Sequence, residues 1–171
     1  MTYALPQRLD RHHNVAEFEC RSEEQTTWLR KYARQADAAG TSRVFIVAPD
    51  NSPGTVAAYY AWCMAAVSPA DAPERLTKGS GRYPQPVALL SRLGVDSRHE
   101  RQGLGAAMVQ DMFGRLIGLS DEIGCRGLLI HCETEEARAF YIHLLPDFEF
   151  SPTDPLHLLL LMEDIRKTFP Q

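Results

Sequence analysis

The sequence predicts an α/β or α+β sandwich around one sheet. Three observations carry that expectation. Segments with an apolar stripe at helical spacing alternate along the chain with short apolar, β-branched runs. The composition is that of an ordinary globular chain, 44% hydrophobic and 23% charged. The length of 171 residues suits one domain, able to bury a core without metal or disulfide staples. A single domain over residues 1–171 is therefore expected. No apolar stretch approaches the ~18 residues of a membrane span. The first residues, MTYALPQRLDRHHN, lack the apolar h-region of a secretory signal, so the expected location is the cytoplasm, with no membrane partner.

Each element follows from local signals. Ser22 is a candidate N-cap for a helix over 23–38, with Trp28, Leu29, Tyr32 and Ala36 on one face and Gly40 as the stop. Residues 43–48 (RVFIVA) form a short strand closed by the turn residues 49–54. Residues 55–67 fit a helix by their alanines, but the preceding turn favours a hairpin partner. The connection 68–86 is rich in Pro, Gly and charge, a composition of functional or mobile loops. It carries Arg75, Lys78, Arg82 and Tyr83, with no acid after Glu74. Residues 87–96 read as a buried strand. A helix over 103–119 presents Met108, Val109, Met112, Leu116 and Leu119. Residues 127–132 form another buried strand. A helix over 133–144 lines up Ala137, Phe140, Tyr141 and Leu144, and 156–162 make a final strand.

Charge excludes a globally basic nucleic-acid binder, since the net is −4. The balance is uneven, with 13 basic against 11 acidic residues in 1–101 and 5 against 11 in 102–171. A local basic face in the first part is compatible with that split. Cys20, Cys63, Cys125 and Cys132 contain no C-x-x-C spacing, so neither zinc nor a redox dithiol is signalled. No metal is expected, and Cys125 and Cys132 read as reduced core thiols. His12 and His13 read as an unstructured pair near the terminus, and His131 and His143 as surface or satisfied core residues.

The informative stretch is 87–109, VALLSRLGVDSRHERQGLGAAMV. A strand runs into a loop that brings Gly103 and Gly105 to the start of a helix. The first turn of a helix has unpaired N–H groups and the positive end of the dipole, and glycine lets an anion approach the backbone. Arg98 and Arg101 add charge there. A P-loop needs Gly-Lys-Ser/Thr, and a Rossmann turn needs Gly or Ala where Met108 stands. What remains is the diphosphate of coenzyme A in an acetyltransferase, or a plain helix start whose glycines serve packing.

The stretch VALLSRLGVDSRHERQGLGA resembles motif A of the GCN5-related N-acetyltransferases, Q/R-x-x-G-x-G/A. More narrowly the chain resembles the acetyltransferase toxins of bacterial toxin–antitoxin modules. Further matches run in order: Phe18-Glu19-Cys20, Trp28-Leu29, Ser42-Arg43-Val44-Phe45, Tyr59-Tyr60, Ser68, Leu128-Leu129-Ile130-His131, Ala139-Phe140-Tyr141, and Ser151-Pro152-Thr153-Asp154-Pro155-Leu156. Two positions depart from the pattern. Glu100 stands at the Q/R position, and the chain after Tyr141 is longer, with Asp147 where glycine is expected.

The resemblance implies the GNAT fold: one mixed, mostly antiparallel sheet of six to seven strands, splayed in a V between two central parallel strands, with helices on both faces. It implies acetyl-CoA as donor. Backbone groups at Leu93, Gly94 and Val95 would bind the pantetheine and polarise the thioester carbonyl. Arg98, Arg101, Gln102, Gly103, Leu104, Gly105 and Ala106 would hold the diphosphate, and Tyr141 would protonate the leaving thiolate. It implies an aminoacyl-tRNA acceptor. An α-amine of pKa about 7.7–8.0 is roughly 10–20% neutral at pH 7, whereas a lysine near 10.4 is under ~0.1% neutral. Arg75, Lys78, Arg82 and Arg92 are the expected tRNA contacts, with Tyr83 stacking on a terminal base. A ribbon-helix-helix antitoxin and a homodimer are the expected partners. Two other functions fit the sequence: acetylation of a small amine, lysine or protein N-terminus, and a non-catalytic CoA-binding sensor.

Overall fold

The turn at 49–54 decides the ambiguity of residues 55–67 in favour of a strand. β2 (Arg43–Val47) pairs antiparallel with β3 (Ala58–Val67), from Arg43↔Trp62 to Val47↔Ala58. A computed structural model describes residues 1–79 and 81–169. It adds β1 (Gln7–Arg8), β4 (Gln85–Val95), β5 (Gly127–His131), β6 (Glu149–Phe150) and β7 (His157–Leu161), in the hydrogen-bonded order β1-β2-β3-β4-β5-β7-β6. The β4–β5 pair is parallel, and the β1–β2, β2–β3, β5–β7 and β6–β7 pairs are antiparallel. The helices are α1 (Glu23–Lys31), α2 (Ala33–Ala39), α3 (Glu74–Thr77), α4 (Leu104–Glu122), α5 (Glu135–Leu144) and α6 (Met162–Thr168).

The chain divides into two compact units. The first is Met1–Cys63 with Ser91–Asp111. Its core joins Phe18, Leu29, Val44, Ile46 and Tyr59, with Cys20 and Trp28 packed against them. Tyr59 takes Phe18 edge-on at 5.3 Å and Trp28 in a parallel stack at 6.1 Å. Ser22 caps α1 as expected, accepting the N–H of Gln25. The expected helix over 23–38 is two helices, broken at Tyr32. Polar contacts anchor the second one. Arg34 donates to the carbonyls of Asp10 and His13, and Asp37 accepts from Arg8 and from the Val44 N–H. The same contacts correct the expectation for His13. It is buried at 4% exposure, and its Nδ1 accepts the Asp10 N–H at 3.0 Å.

The second unit is Met64–Leu90 with Met112–Gln171. Its core includes Val67, Leu76, Val87, Leu129, Leu159 and Leu161. The connection 68–86, in which Ser80 lies outside the described residues, is structured. A 3-10 turn at Pro69–Asp71 leads to α3, which buries Leu76. Arg126 donates to the Leu76 carbonyl at 2.7 Å. The parallel ladder covers only Ala88↔Leu128, Leu89↔Leu129 and Leu90↔Ile130, while β4 itself continues to Val95. α6 was not expected, although Glu163 and Asp164 in its first turn and Arg166 and Lys167 in its last suit the helix dipole. All four cysteines are free thiols, and burial pushes Cys132 up to about 11. No helix of the described residues is long and apolar enough to cross a membrane.

Candidate active site

The loop between β4 and α4 is held at every turn. Asp96 is buried at 1% exposure. Its carboxylate accepts the N–H of Glu19 at 3.0 Å and the N–H of Arg98 at 2.9 Å, and closes on the Arg98 guanidinium at 2.8 Å. Burial pushes the Asp96 carboxyl up, but the Arg98 guanidinium and the two N–H donors outweigh it and hold it below its ordinary range. His99 is buried and hydrogen-bonded to the Tyr3 hydroxyl at 3.1 Å. The Ser97 N–H reaches the Glu19 carbonyl at 2.8 Å. The strap 17–21 therefore runs along the loop, and it contains the Phe18-Glu19-Cys20 signature.

That strap also explains Glu100. Its carboxylate is gripped by Arg21, Nε to Oε1 at 2.9 Å and Nη2 to Oε2 at 2.9 Å. The acid at the motif's first position is thus neutralised by a bidentate partner. Arg21 was not singled out from the sequence, since the pair spans 79 positions.

The backbone that follows turns sharply into α4. Arg101 has φ 61° and Gly103 φ 75°, beside the N–H groups that the start of a helix leaves unpaired and that suit an anion. A non-glycine residue held left-handed costs on the order of 1 kcal/mol and persists where the surroundings over-determine it. The N–H groups of Leu104, Gly105 and Ala106 open α4, whose first turn holds no acid. Arg101, Gln102 and Gly103 are exposed. Arg98 lies in this loop, but its guanidinium serves Asp96 and the Glu17 carbonyl.

Leu93 and Val95 flank Gly94 on the tail of β4, past the parallel ladder. A Cβ at Gly94 would meet Tyr59 Cε1 at 3.0 Å, Phe18 at 3.3 Å and Cys20 Sγ at 3.3 Å. The strap can lie this close to the strand only because the position is glycine.

Tyr141 belongs to the second unit. α5, capped by Thr134 accepting the Ala137 N–H, buries it to 6% exposure. Phe140 and Phe148 pack edge-on against its ring at 5.1 and 6.4 Å. Burial, and then the nearby Cys132, push its hydroxyl above its ordinary pKa, so it stays protonated and able to donate. Among the described residues its hydroxyl has no hydrogen-bond partner. The longer turn after Tyr141 is accommodated, because Phe148 still folds back onto the ring.

The expected tRNA contacts divide into two kinds. Arg75 is not an available cation. Its guanidinium meets Asp164 at 2.9 Å, Glu163 at 2.5 Å and Glu149 at 3.2 Å. Arg92 pairs with Glu24 at 2.8 Å and lies over the Trp28 ring at 5.5 Å. Lys78 and Arg82 are exposed and form no ion pair among the described residues. Tyr83 beside them is 78% exposed.

No protein-family model matches the chain. The tRNA-acetylating toxin of Mycobacterium tuberculosis is 42% identical over 164 residues, 96% of this chain and 95% of that one. Among solved structures, a tyrosine-to-phenylalanine mutant of KacT superposes with TM-score 0.90 at 19% identity, covering 99% of this chain and 100% of that one. AtaT complexed with acetyl-methionyl-tRNAfMet gives TM-score 0.87 at 22% identity, over 98% of this chain and 99% of that one. A mutant AtaT bound to the C-terminus of the antitoxin AtaR and acetyl-CoA gives 0.82 at 21% identity, over 99% of each chain.

The fold is shared over nearly the whole chain with these structures, and the 42% identical relative makes the chain an acetyltransferase. Within that class, identity over nearly the whole length is decisive: the chain belongs to the tRNA-acetylating toxins.

Proposed function

We propose that the protein transfers the acetyl group of acetyl-CoA to the α-amine of an aminoacyl-tRNA in the cytoplasm, and so blocks translation. The observation that carries this reading is the 42% identity to a tRNA-acetylating toxin over 96% of the chain. The left-handed turn at Arg101 and Gly103 into the start of α4 supports it. The whole of 1–171 acts as one acetyltransferase domain.

Acetyl-CoA supplies an activated thioester. The N–H groups of Arg101, Gln102, Gly103, Leu104, Gly105 and Ala106 hold its diphosphate. Leu93 and Val95 orient the pantetheine through their backbone and polarise the carbonyl. Gly94 lets the strap pack behind them, and Arg98 keeps the loop closed through Asp96. Tyr141 gives its proton to the departing thiolate. Lys78 and Arg82 meet phosphates of the tRNA, with Tyr83 stacking on a base. Arg75 is held by Asp164, Glu163 and Glu149 and Arg92 by Glu24, so each acts through the segment it holds. The non-catalytic reading loses its support, since Arg21 neutralises Glu100 and Phe148 restores the aromatic contact to Tyr141.

A ribbon-helix-helix antitoxin neutralises the enzyme, and the enzyme is a homodimer. Structures of AtaT with AtaR support an antitoxin of some kind.

The test mixes the protein and labelled acetyl-CoA with charged or deacylated tRNA, and with polyamines and peptides. Label on the nuclease-released aminoacyl adenosine, only with charged tRNA, is the expected result. Label on polyamine or peptide instead would refute it.

A further inference from the structure

An amine that becomes an amide sheds a proton whatever its initial ionisation, and none of the groups above receives it. Tyr141 is a donor, and the loop offers only N–H groups. Two imidazoles stand at the end of β5. His131 is the first β5 residue past the last parallel pair, Leu90↔Ile130. Side chains alternate along a strand, so His131 faces away from Cys132, the neighbour that bears on Tyr141. His131 therefore stands at the end of the parallel ladder, on the side of the strand away from Cys132.

Across the antiparallel ladder His131 is in register with His157 of β7. The two rings stack with centroids 3.9 Å apart and planes 15° apart. His157 Nε2 lies 3.3 Å from Asp154 Oδ2, and Asp154 Oδ1 accepts the Leu156 N–H at 2.9 Å. Ser151 and Thr153 tie the same segment down, Thr153 donating to Asp71 at 2.5 Å and Ser68 donating to Asp71 at 2.9 Å. The Ser151–Leu156 signature and Ser68 therefore build the mount beneath the histidines. The outer part of His131 remains exposed. Desolvation of its covered face and the neighbouring His157 lower its pKa, against the opposite pull of Asp154, so it is neutral at pH 7. Among the described residues no group of three or more His, Cys, Asp and Glu could hold a metal ion.

We propose that His131 is the proton acceptor of the acetyl transfer, its ring oriented by the stacked His157 and by Asp154. The inference rests on the acetyltransferase function above. The amine nitrogen bonds to the carbonyl carbon of the thioester, and its proton passes to the imidazole of His131. The C–S bond then breaks and the thiolate takes the Tyr141 proton. The imidazolium releases its proton to water, and water reprotonates Tyr141. His157 is a positioning residue.

The experiment measures kcat on charged tRNA from acid to mildly alkaline pH for wild type, His131→Ala and His157→Gln, with acetyl-CoA binding followed by calorimetry. A general base is worth about 10²–10⁴-fold. His131→Ala should lose about 10²-fold at pH 7 with acetyl-CoA binding within about twofold, and added imidazole should restore activity. His157→Gln should move the acid limb of the rate profile to higher pH, because the neighbour that lowers the His131 pKa is gone. Retention of half the wild-type kcat by His131→Ala, or no recovery with imidazole, would overturn the proposal. A wild type that binds acetyl-CoA but leaves charged tRNA unlabelled would overturn the function itself, which the same assay distinguishes.

Discussion

Two loops of this molecule look alike in sequence and hold their cations differently. The loop between β4 and α4, the donor loop of the proposed function, offers Arg98 and Arg101, and the connection 68–86, its proposed acceptor loop, offers Arg75, Lys78 and Arg82. In the donor loop the conspicuous arginine is consumed internally, Arg98 by Asp96. In the proposed function, anion binding there falls to a backbone turned by left-handed Arg101 and Gly103 at the start of α4. In the connection Arg75 is likewise consumed, by three carboxylates, but the remaining positive charge sits on exposed side chains. The first arrangement is pre-organised and short-ranged. The second is exposed, long-ranged and screened by salt. A small diphosphate suits the former, and a polyanion arriving by diffusion suits the latter.

The largest effect lies outside both loops. Tyr141→Phe should lower kcat by about 10²–10⁴-fold, with acetyl-CoA binding unchanged. Calorimetry beside single-turnover assays would show whether binding and chemistry separate. Next comes the backbone of the donor loop. Gly103→Val forces a β-branched residue to φ 75°, which costs about 1–2 kcal/mol and should weaken acetyl-CoA binding roughly tenfold. The acceptor loop should respond through charge alone. Lys78→Ala with Arg82→Ala should raise the tRNA KM and flatten the slope of log KM against log salt by about 1.5, since each phosphate contact contributes about 0.7–0.9. Arg75→Ala should act on the fold instead. Removing it strands Asp164, which is 9% exposed, so Tm should fall in a thermal melt while the tRNA salt slope stays as in wild type.

The smallest effect appears only in acid. The folded pKa of Asp96 is depressed, so its contribution to stability is complete above the unfolded value of about 3.9. That contribution is lost as pH falls through the lower folded value. Urea melts of wild type should weaken across that acid window, and Asp96→Asn should lack this component.

The loop from β4 into α4 was legible because its signals are local. Glycines, a helix start and the strand before it lie within twenty or so residues. The strands at 43–47 and 58–67, the helix containing Tyr141 and the Ser22 cap were legible for the same reason. What escaped depended on pairing across the chain. Arg75 looked like a ligand because no acid follows Glu74 nearby. Its partners Glu149, Glu163 and Asp164 lie 74 to 89 positions away. Arg21 and Glu100 are as distant. His13 looked idle because its Asp10 partner acts through a backbone N–H, and periodicity carries no trace of such a turn. His131 and His157 meet only through the register of β5 against β7.

The most direct measurement crosses the two loops with the two substrates. KM for acetyl-CoA and for charged tRNA would be determined on Gly103→Val and on the Lys78/Arg82 double alanine variant. The account predicts a raised acetyl-CoA KM only in the first and a raised tRNA KM only in the second. A variant of either loop that moved both constants equally would contradict it.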